Sequence, residues 1–339
     1  MSMDLSTTYL GLELANPLVP SASPLSRNID TAKRLEDAGA AALVMNSLFE
    51  EDIDREQRAF GEGMIVQSHG FAEAQNFLPT FHQPSEGGLE RYLEQLQRLK
   101  SSLAIPVIAS LNGIHLSTWV DHGKELEQAG ADALELNVYY IATDLDQDAQ
   151  AVEQRYLDIL NELRGQVALP ITMKLSPQFS SPGNLVRKLA QAGANGVSLF
   201  NRFYQPDIDV DSLQIGPHLH LSSSNDALLA MRWIAILFGR VDISLAATGG
   251  AHTAEDALKL LLAGADIVHM CSALLINGPG HLGKVLKGIE AWMDDSPFDS
   301  ISQIKGNLSQ QHCTDPAAYE RANYVMALQG FEPNRSHWG

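Results

Sequence analysis

The stretch Leu245–Leu274 reads LAATGGAHTAEDALKLLLAGADIVHMCSAL and contains the pattern that decides the fold. An apolar strand leads into the Gly249-Gly250 turn, and Thr253 is placed to cap the helix that follows. Gly264 ends this helix, an apolar strand follows it, and Ser272 lies where the next helix begins. This order of strand, turn, helix and strand predicts consecutive βα units of a parallel sheet.

The same unit occurs elsewhere in the chain. An Ala-Gly-Ala triplet that ends a predicted helix and precedes an apolar strand occurs at 38–40, 129–131, 192–194 and 263–265. Near-continuous apolar strands are typical of a buried parallel sheet. Eight strands are predicted in all: Leu18–Ser23, Ala42–Asn46, Val107–Leu111, Ala133–Val138, Ile171–Leu175, Gly196–Asn201, Ile243–Ala247 and Ile267–Met270. Eight βα units predict an α/β fold of the (β/α)₈ TIM-barrel type, with a doubly wound sheet as the alternative.

Two stretches interrupt this pattern and a third follows it. A long insertion, Ser47–Gly88, comes after the second strand, and Phe203–Leu221 comes after the sixth. Both are expected to overhang the mouth at the carboxyl end of the barrel. We assign residues 1–308 to the barrel and residues 309–339 to a C-terminal extension. The extension is rich in aromatic residues, so we expect it to pack on the barrel or on the partner subunit of a homodimer.

The composition disfavours several classes of function. The 339-residue chain is 45% hydrophobic and 19% charged, which suits a globular protein with a substantial core. No apolar run approaches the ~18 residues that span a membrane, and the N-terminal residues show no secretory signal. The net charge of −18 argues against nucleic acid or an anionic membrane as a partner. The two cysteines show no metal spacing, so we expect no metal and a cytoplasmic protein.

Polar residues follow the predicted strands at the end of the barrel where active sites lie. The turns after strands seven and eight offer bare amides, which predicts a site for a phosphate-bearing ligand. The amide side chains suit a heterocycle with alternating N–H and C=O groups, although each asparagine taken alone is also typical of a turn. The candidate residues are Ser21, Asn46, Asn112, Asn137, Lys174, Asn201, Gly249, Gly250, Cys271 and Ser272.

Lys174 ends an apolar strand, and its ammonium group is expected to point into the mouth because burying it unpaired would be costly. Two roles fit this position. The lysine can be a fixed positive charge beside a ligand that becomes anionic, or it can be a Schiff-base nucleophile.

These segments together resemble the dihydroorotate dehydrogenase family, in particular its class 1 members, from about Leu10 to Leu308. The motifs that carry the resemblance are Asn16-Pro17-Leu18, Glu135-Leu136-Asn137, Met173-Lys174-Leu175-Ser176-Pro177, Asn201, Thr248-Gly249-Gly250, Ser272-Ala273-Leu274 and Asn277-Gly278-Pro279. The resemblance implies a TIM barrel that binds FMN, a soluble oxidoreductase acting on a CH–CH bond, a small-molecule substrate and a place in pyrimidine biosynthesis.

The resemblance also implies roles for the residues at the mouth. Gly249, Gly250, Cys271 and Ser272 would hold the FMN phosphate, and Lys174 would stabilise the reduced, anionic flavin near N1. Ser21, Asn46 and Asn112 would contact the flavin. Asn137 and Asn201 would contact flavin or substrate, and His69, in the insertion, would contact the substrate.

The chain departs from the family in the half of the site that binds substrate. The family's catalytic cysteine is replaced by Tyr140, and the Pro-Asn that follows it is replaced by Ile141-Ala142. A phenol with a pKa near about 10 is a poor base at neutral pH. A flavin-contacting glycine pair is replaced by Ser222-Ser223-Ser224. We therefore expect the cofactor half of the site to be kept and dihydroorotate to be a poor substrate.

Three functional hypotheses follow. The first is an FMN-dependent oxidoreductase that transfers hydride between flavin and a small cyclic imide or acid, with Lys174 and Tyr140 as catalytic residues. The second is an aldolase-type barrel that uses Lys174 as a Schiff base, and the third is a flavin-binding protein without turnover. The sequence leaves the true substrate, the electron acceptor and the oligomeric state open.

Overall fold

A computed structural model of the protein describes residues 3–51, 88–113, 116–202, 204–217 and 219–330, with the backbone alone for 116–121 and 217. Most of the predicted insertion, including His69, lies outside these residues, as does the end of the predicted extension from residue 331 onward. Among the residues described, no helix is long and apolar enough to cross a membrane.

The described residues form strands β1 (Thr7–Tyr9), β2 (Leu12–Leu14), β3 (Leu18–Pro20), β4 (Leu43–Val44), β5 (Leu48–Phe49), β6 (Val107–Gly113), β7 (Ala133–Val138), β8 (Ile171–Leu175), β9 (Gly196–Leu199), β10 (Pro206–Asp209), β11 (Gln214–Pro217), β12 (Ser244–Thr248) and β13 (Ile267–Met270). The helices are α1 (Ile29–Asp37), α2 (Leu89–Ser102), α3 (Leu116–Gln128), α4 (Ala149–Arg164), α5 (Pro182–Gln191), α6 (Ala227–Leu237), α7 (Ala254–Ala263), α8 (Ser272–Asn277), α9 (His281–Asp294), α10 (Ile301–Ile304) and α11 (Arg321–Gln329).

Eight of these strands form a parallel barrel. Their spatial order is β3, β13, β12, β9, β8, β7, β6 and β4, and β5 adds to β6 beyond β4. The sheet returns on itself where the N–H of Ala41, just before β4, donates to the carbonyl of Leu18 in β3 at 3.1 Å. Each barrel strand overlaps a strand predicted from the sequence, so the prediction of a (β/α)₈ TIM barrel is confirmed.

The helices surround the barrel and bury their apolar faces against it. In the stretch Leu245–Leu274, Thr253 caps α7 with a reciprocal capping box that includes Asp256, as its sequence predicts. Leu258 and Leu261 of α7 are buried in the main hydrophobic core. Gly264 ends this helix with φ +121°, a conformation that favours glycine.

The opposite, amino-terminal end of the barrel is covered by the β1–β2 hairpin. Tyr9, Leu10 and Leu14 of this hairpin form a second buried cluster with Ile108 and Ile267 of the barrel strands. Among the described residues, apolar side chains therefore fill this end of the barrel.

Two segments outside the repeating units have defined structure. Phe203–Leu221 contains the antiparallel β10–β11 hairpin, in which Asp207 pairs with Gly216. Beyond the barrel, the N–H of Gln310 donates to the carbonyl of Ala235 in α6 at 2.9 Å. The division of the chain at residue 308 stays a prediction.

Candidate functional site

A cavity of about 540 Å³ lies at the carboxyl ends of the barrel strands. Of the ten cofactor-binding residues predicted from the sequence, the nine that line it are Ser21, Asn46, Asn112, Asn137, Lys174, Asn201, Gly249, Cys271 and Ser272. Each of the eight barrel strands, or the turn directly after it, contributes at least one of these residues. The barrel therefore brings together residues that are up to 251 positions apart, from Ser21 to Ser272.

The floor of the cavity contains a buried ion pair. Lys174 on β8 is 7% exposed, and its Nζ lies 3.3 Å from Oε1 of Glu135 on β7 and donates to Ser21 Oγ at 3.4 Å. Glu135 is fully buried. A buried charge is tolerated when it is paired and hydrogen-bonded, so Glu135 and Lys174 each provide the partner that the other requires.

A neutral histidine lies behind this pair. His269 on β13 is buried, and its Nε2 lies 3.9 Å from Oε2 of Glu135. Burial lowers the pKa of His269 to about 4 despite the nearby carboxylate, because the charged form is penalised away from water. His269 is therefore uncharged at neutral pH, and Lys174 is the cation that balances Glu135 within the part of the chain that the structure describes.

Four asparagines surround the floor, as expected from the sequence. Asn112 on β6, Asn137 on β7 and Lys174 on β8 are neighbours in the strand register. The amide of Asn201 donates to Oδ1 of Asn137 at 2.7 Å across the mouth. Asn46 is held by Ser26, whose hydroxyl accepts its backbone N–H at 2.6 Å. The Asn137 and Asn201 side chains are thus held in defined orientations near the lysine, and Asn46 and Asn112 also line the cavity.

The two glycines of the predicted phosphate turn differ in their surroundings. Gly249 lines the cavity with φ +94°, and a Cβ built there would meet nothing within 4 Å. Gly250 does not line the cavity, and its Cβ would lie 2.2 Å from the backbone nitrogen of Ala227 in α6. The close approach of α6 explains the need for glycine at 250, whereas the open space beside Gly249 is available to a ligand.

The helix after this turn already has an anion at its N-terminus. Asp256 Oδ2 accepts the backbone N–H groups of His252 and Thr253 at 3.1 and 3.0 Å and the Ser224 hydroxyl at 2.8 Å. Burial alone would raise the pKa of the Asp256 carboxyl, but these hydrogen bonds hold it below its usual value. The N-terminus of α7 is therefore occupied by its own carboxylate, and Gly249 is the part of this turn left to the cavity.

The turn after β13 reaches the cavity through Cys271 and Ser272. Ser272 Oγ accepts the N–H of Ser222 at 3.0 Å, and the Ser222 hydroxyl lies 3.2 Å from Nε2 of His252. Ser222 also lines the cavity, so the serine triplet noted in the sequence adds a hydroxyl to the predicted phosphate end. Burial raises the pKa of the Cys271 thiol, although Lys174 opposes the shift.

The structure separates the two adjacent tyrosines after β7. Tyr140 does not line the cavity: its hydroxyl donates to Gln147 Oε1 at 2.6 Å, and the Arg155 guanidinium lies 4.2 Å from its ring centre. Tyr139 lines the cavity, and its hydroxyl accepts the N–H of Tyr204 at 3.1 Å. The catalytic role predicted for Tyr140 stays a prediction, and the geometry favours Tyr139.

Several residues at the cavity were not assigned to the site from the sequence. They are Arg27, Glu51, Glu135, Tyr139, Arg202 and Tyr204. Glu135 carried a usable signal, because a carboxylate inside the apolar run that becomes β7 requires a buried partner. Arg202 directly follows Asn201 at the end of a strand, a position that commonly reaches an active site in this fold.

A (β/α)₈ barrel with a charged and amide-lined cavity at its strand ends is the architecture of an enzyme. The family model for dihydroorotate dehydrogenase matches residues 71–293, which is more than half of the chain. The chain therefore belongs to the dihydroorotate dehydrogenase family, and it is an oxidoreductase that acts on a CH–CH bond.

Curated relatives cover nearly the whole chain. The catalytic subunit of dihydroorotate dehydrogenase B (NAD(+)) from Thermoplasma acidophilum is 27% identical over 311 residues, which are 89% of this chain and 98% of that protein. The NAD-dependent dihydropyrimidine dehydrogenase subunit PreA from Escherichia coli is 25% identical over 325 residues, 90% of this chain and 77% of that protein. The chloroplastic dihydropyrimidine dehydrogenase (NADP(+)) of Arabidopsis thaliana is 24% identical over 335 residues, 92% of this chain and 78% of that protein.

Proposed function

We propose that the protein is an FMN-dependent oxidoreductase that transfers hydride between flavin and a carbon–carbon bond of a small cyclic imide or acid. The observation that carries this proposal is the position of Lys174, a paired cation at the floor of a cavity whose rim holds the Gly249 and Ser272 turns. Bound FMN would supply the hydride-accepting chemistry.

The residues of the cavity fit FMN in three respects. Gly249, Ser222 and Ser272 offer an open turn and hydroxyl groups for a phosphate. The Asn137–Asn201 pair offers amide groups to a ring with alternating donors and acceptors. Lys174 would place its ammonium where negative charge develops, and Glu135 and Ser21 would hold that ammonium in position.

The cavity has few groups that could accept a proton from carbon. Among the described lining residues these are Glu51, Tyr139, Tyr204 and Cys271. Burial raises the pKa values of Tyr204 and Cys271, which weakens both as bases because their anions are disfavoured. The proposed substrate is accordingly one whose reaction does not depend on the family's cysteine.

The aldolase alternative is disfavoured by the ion pair. A Schiff-base lysine must lose its proton before it attacks a carbonyl carbon. In this structure Nζ of Lys174 is held 3.3 Å from the buried carboxylate of Glu135 and also donates to Ser21 Oγ, so the amine is already engaged by partners at the floor. A flavin-binding protein without turnover remains the second candidate, because the base expected after β7 points away from the cavity at Tyr140.

An absorption spectrum of the purified protein tests the proposal. We expect a yellow protein with flavin bands and about one FMN per chain, released by heat and identified by mass spectrometry. A colourless protein that also fails to bind added FMN would contradict the proposal. Reduction of the bound flavin by a small cyclic imide or acid would then distinguish the oxidoreductase from a protein without turnover.

A further inference from the structure

The cavity is more positive than the protein as a whole. Its described lining residues include the cations Arg27, Lys174 and Arg202 and the single carboxylate Glu51. The chain as a whole has a net charge of −18. Lys174 is already paired with Glu135, so the excess positive charge comes from the arginines. A positive cavity in an acidic protein concentrates anionic ligands at the site.

Arg202 is the arginine whose surroundings require a partner. It is partly buried, its Nη1 makes no hydrogen bond, and no ion pair of this arginine is found among the described residues. A guanidinium that has lost part of its water shell is stabilised when an anion binds to it. Since the described chain provides no such anion, a ligand in the adjacent cavity can do so.

Asn201 and Tyr204, which flank Arg202 in the sequence, are both held by hydrogen bonds. Asn201, directly before it, is held to Asn137 at 2.7 Å, and the N–H of Tyr204 is held by the Tyr139 hydroxyl at 3.1 Å. These two hydrogen bonds join the ends of β7 and β9 across the mouth. Arg202 thus lies between two residues that are held in place, which reduces the entropy cost of ligand binding.

We propose that Arg202 binds a carboxylate of the substrate and that it makes the site selective for an anionic ring over a neutral one. The proposal rests on the proposed function, because it places the substrate in the same cavity as the flavin. Arginine suits this role since its planar guanidinium can form two parallel hydrogen bonds to one carboxylate. One relative is named for dihydroorotate, a ring with a carboxylate, and another for dihydropyrimidine, a ring without one. Arg202 is the residue that would discriminate between these two kinds of ring.

The test compares two ligands that share a pyrimidine ring and differ in a carboxylate. Orotate and uracil would be titrated into flavin-loaded wild-type protein, Arg202→Met and Arg202→Lys, with affinity measured by calorimetry. We expect the wild-type protein to bind orotate more tightly than uracil. Arg202→Met should bind orotate about tenfold to hundredfold more weakly than wild type, because a hydrogen bond to a charged group contributes in this range. Uracil affinity should stay within about threefold, and Arg202→Lys should be intermediate.

The control is Arg98→Met, which removes the same charge from an exposed position on α2 and should leave both affinities unchanged. A wild-type protein without preference for orotate, or an Arg202→Met variant with an unchanged ratio of affinities, would overturn the proposal. So would an Arg202→Met variant that loses affinity for FMN but not for riboflavin, because the arginine would then bind the flavin phosphate. The FMN content of each sample is measured separately, so a failure of the proposed function is recognised independently.

Discussion

Nζ of Lys174 lies 3.3 Å from Oε1 of Glu135, and both side chains are almost completely removed from solvent. The two residues lie on the adjacent strands β8 and β7, where Asn137 pairs with Lys174 in the register. The pair therefore provides a fixed positive charge toward the cavity without leaving an isolated buried ion. The first two predictions concern this pair.

Replacing Lys174 with methionine is expected to make bound FMN harder to reduce. A positive charge about 4 Å from the reduced flavin is worth up to ~4 kcal/mol at an effective dielectric of about 20, before the opposing effect of Glu135. We expect the two-electron potential to fall by at least roughly 30 mV, equivalent to about 1.4 kcal/mol. Lys188→Met is the control, because Lys188 pairs with Glu153. An unchanged potential in Lys174→Met would show that the ammonium does not act on the flavin.

The ion pair is also expected to show strong coupling in the free energy of unfolding. Lys174→Met and Glu135→Gln each leave a buried partner unpaired, and each should destabilise the protein by about 3–5 kcal/mol. The double variant should be destabilised by clearly less than the sum of the two. Urea unfolding of the four proteins measures the coupling, with the partly exposed Lys188–Glu153 pair as a control expected to couple weakly. Additive effects at Lys174 and Glu135 would contradict the prediction.

Gly249→Ala and Gly250→Ala are expected to separate ligand binding from stability. Both glycines have positive φ, at +94° and +81°, so alanine costs about 1–2 kcal/mol of strain at either position. At 250 the added Cβ also meets the backbone of α6, which cannot move as a side chain can. We therefore expect the melting temperature to fall more in Gly250→Ala than in Gly249→Ala. The FMN affinity should fall more in Gly249→Ala than its loss of stability alone would predict. Equal changes in both quantities would argue against distinct roles.

The fold could be predicted from the sequence because its signals are local. Each Ala-Gly-Ala triplet ends a helix and precedes a buried strand, and Gly39, Gly130, Gly193 and Gly264 all have positive φ. The ring of polar residues was also predictable, since parallel strands present their carboxyl ends at one edge of the barrel. A strand-end residue such as Asn201 therefore needs no long-range information to be placed near the site.

The rest of the site depends on relationships that a single sequence does not contain. Tyr139 and Tyr140 differ by one position, and side-chain direction alternates near a strand end, so the choice between them requires the structure. The pairing of Glu135 with Lys174 requires the register of two strands. The role of Gly250 in binding the cofactor stays a prediction, and the packing of α6 against this glycine is not visible in the sequence.

The last prediction is that dihydroorotate is oxidised slowly. Its oxidation requires a base that removes a carbon-bound proton while hydride leaves, and a positioned base contributes roughly 10²–10⁴-fold to such a step. The residue that the resemblance places at the family's cysteine is Tyr140, which is held by Gln147 outside the cavity. Binding through Arg202 does not replace this function, so the ligand can bind well and still react slowly. Steady-state turnover with fumarate, a quinone and a dye as electron acceptors measures the rate.

Three variants identify the base if turnover is nevertheless rapid. Glu51→Gln and Tyr139→Phe alter lining residues that could accept the proton, whereas Tyr140→Phe alters the residue outside the cavity and serves as their control. We expect Tyr140→Phe to leave the rate and its pH profile unchanged, because its hydroxyl is bound to Gln147. A different result would show that the segment after β7 rearranges to bring Tyr140 to the substrate. In that case the wild-type rate would be comparable to that of a family member with the cysteine, and only Tyr140→Phe would lose it.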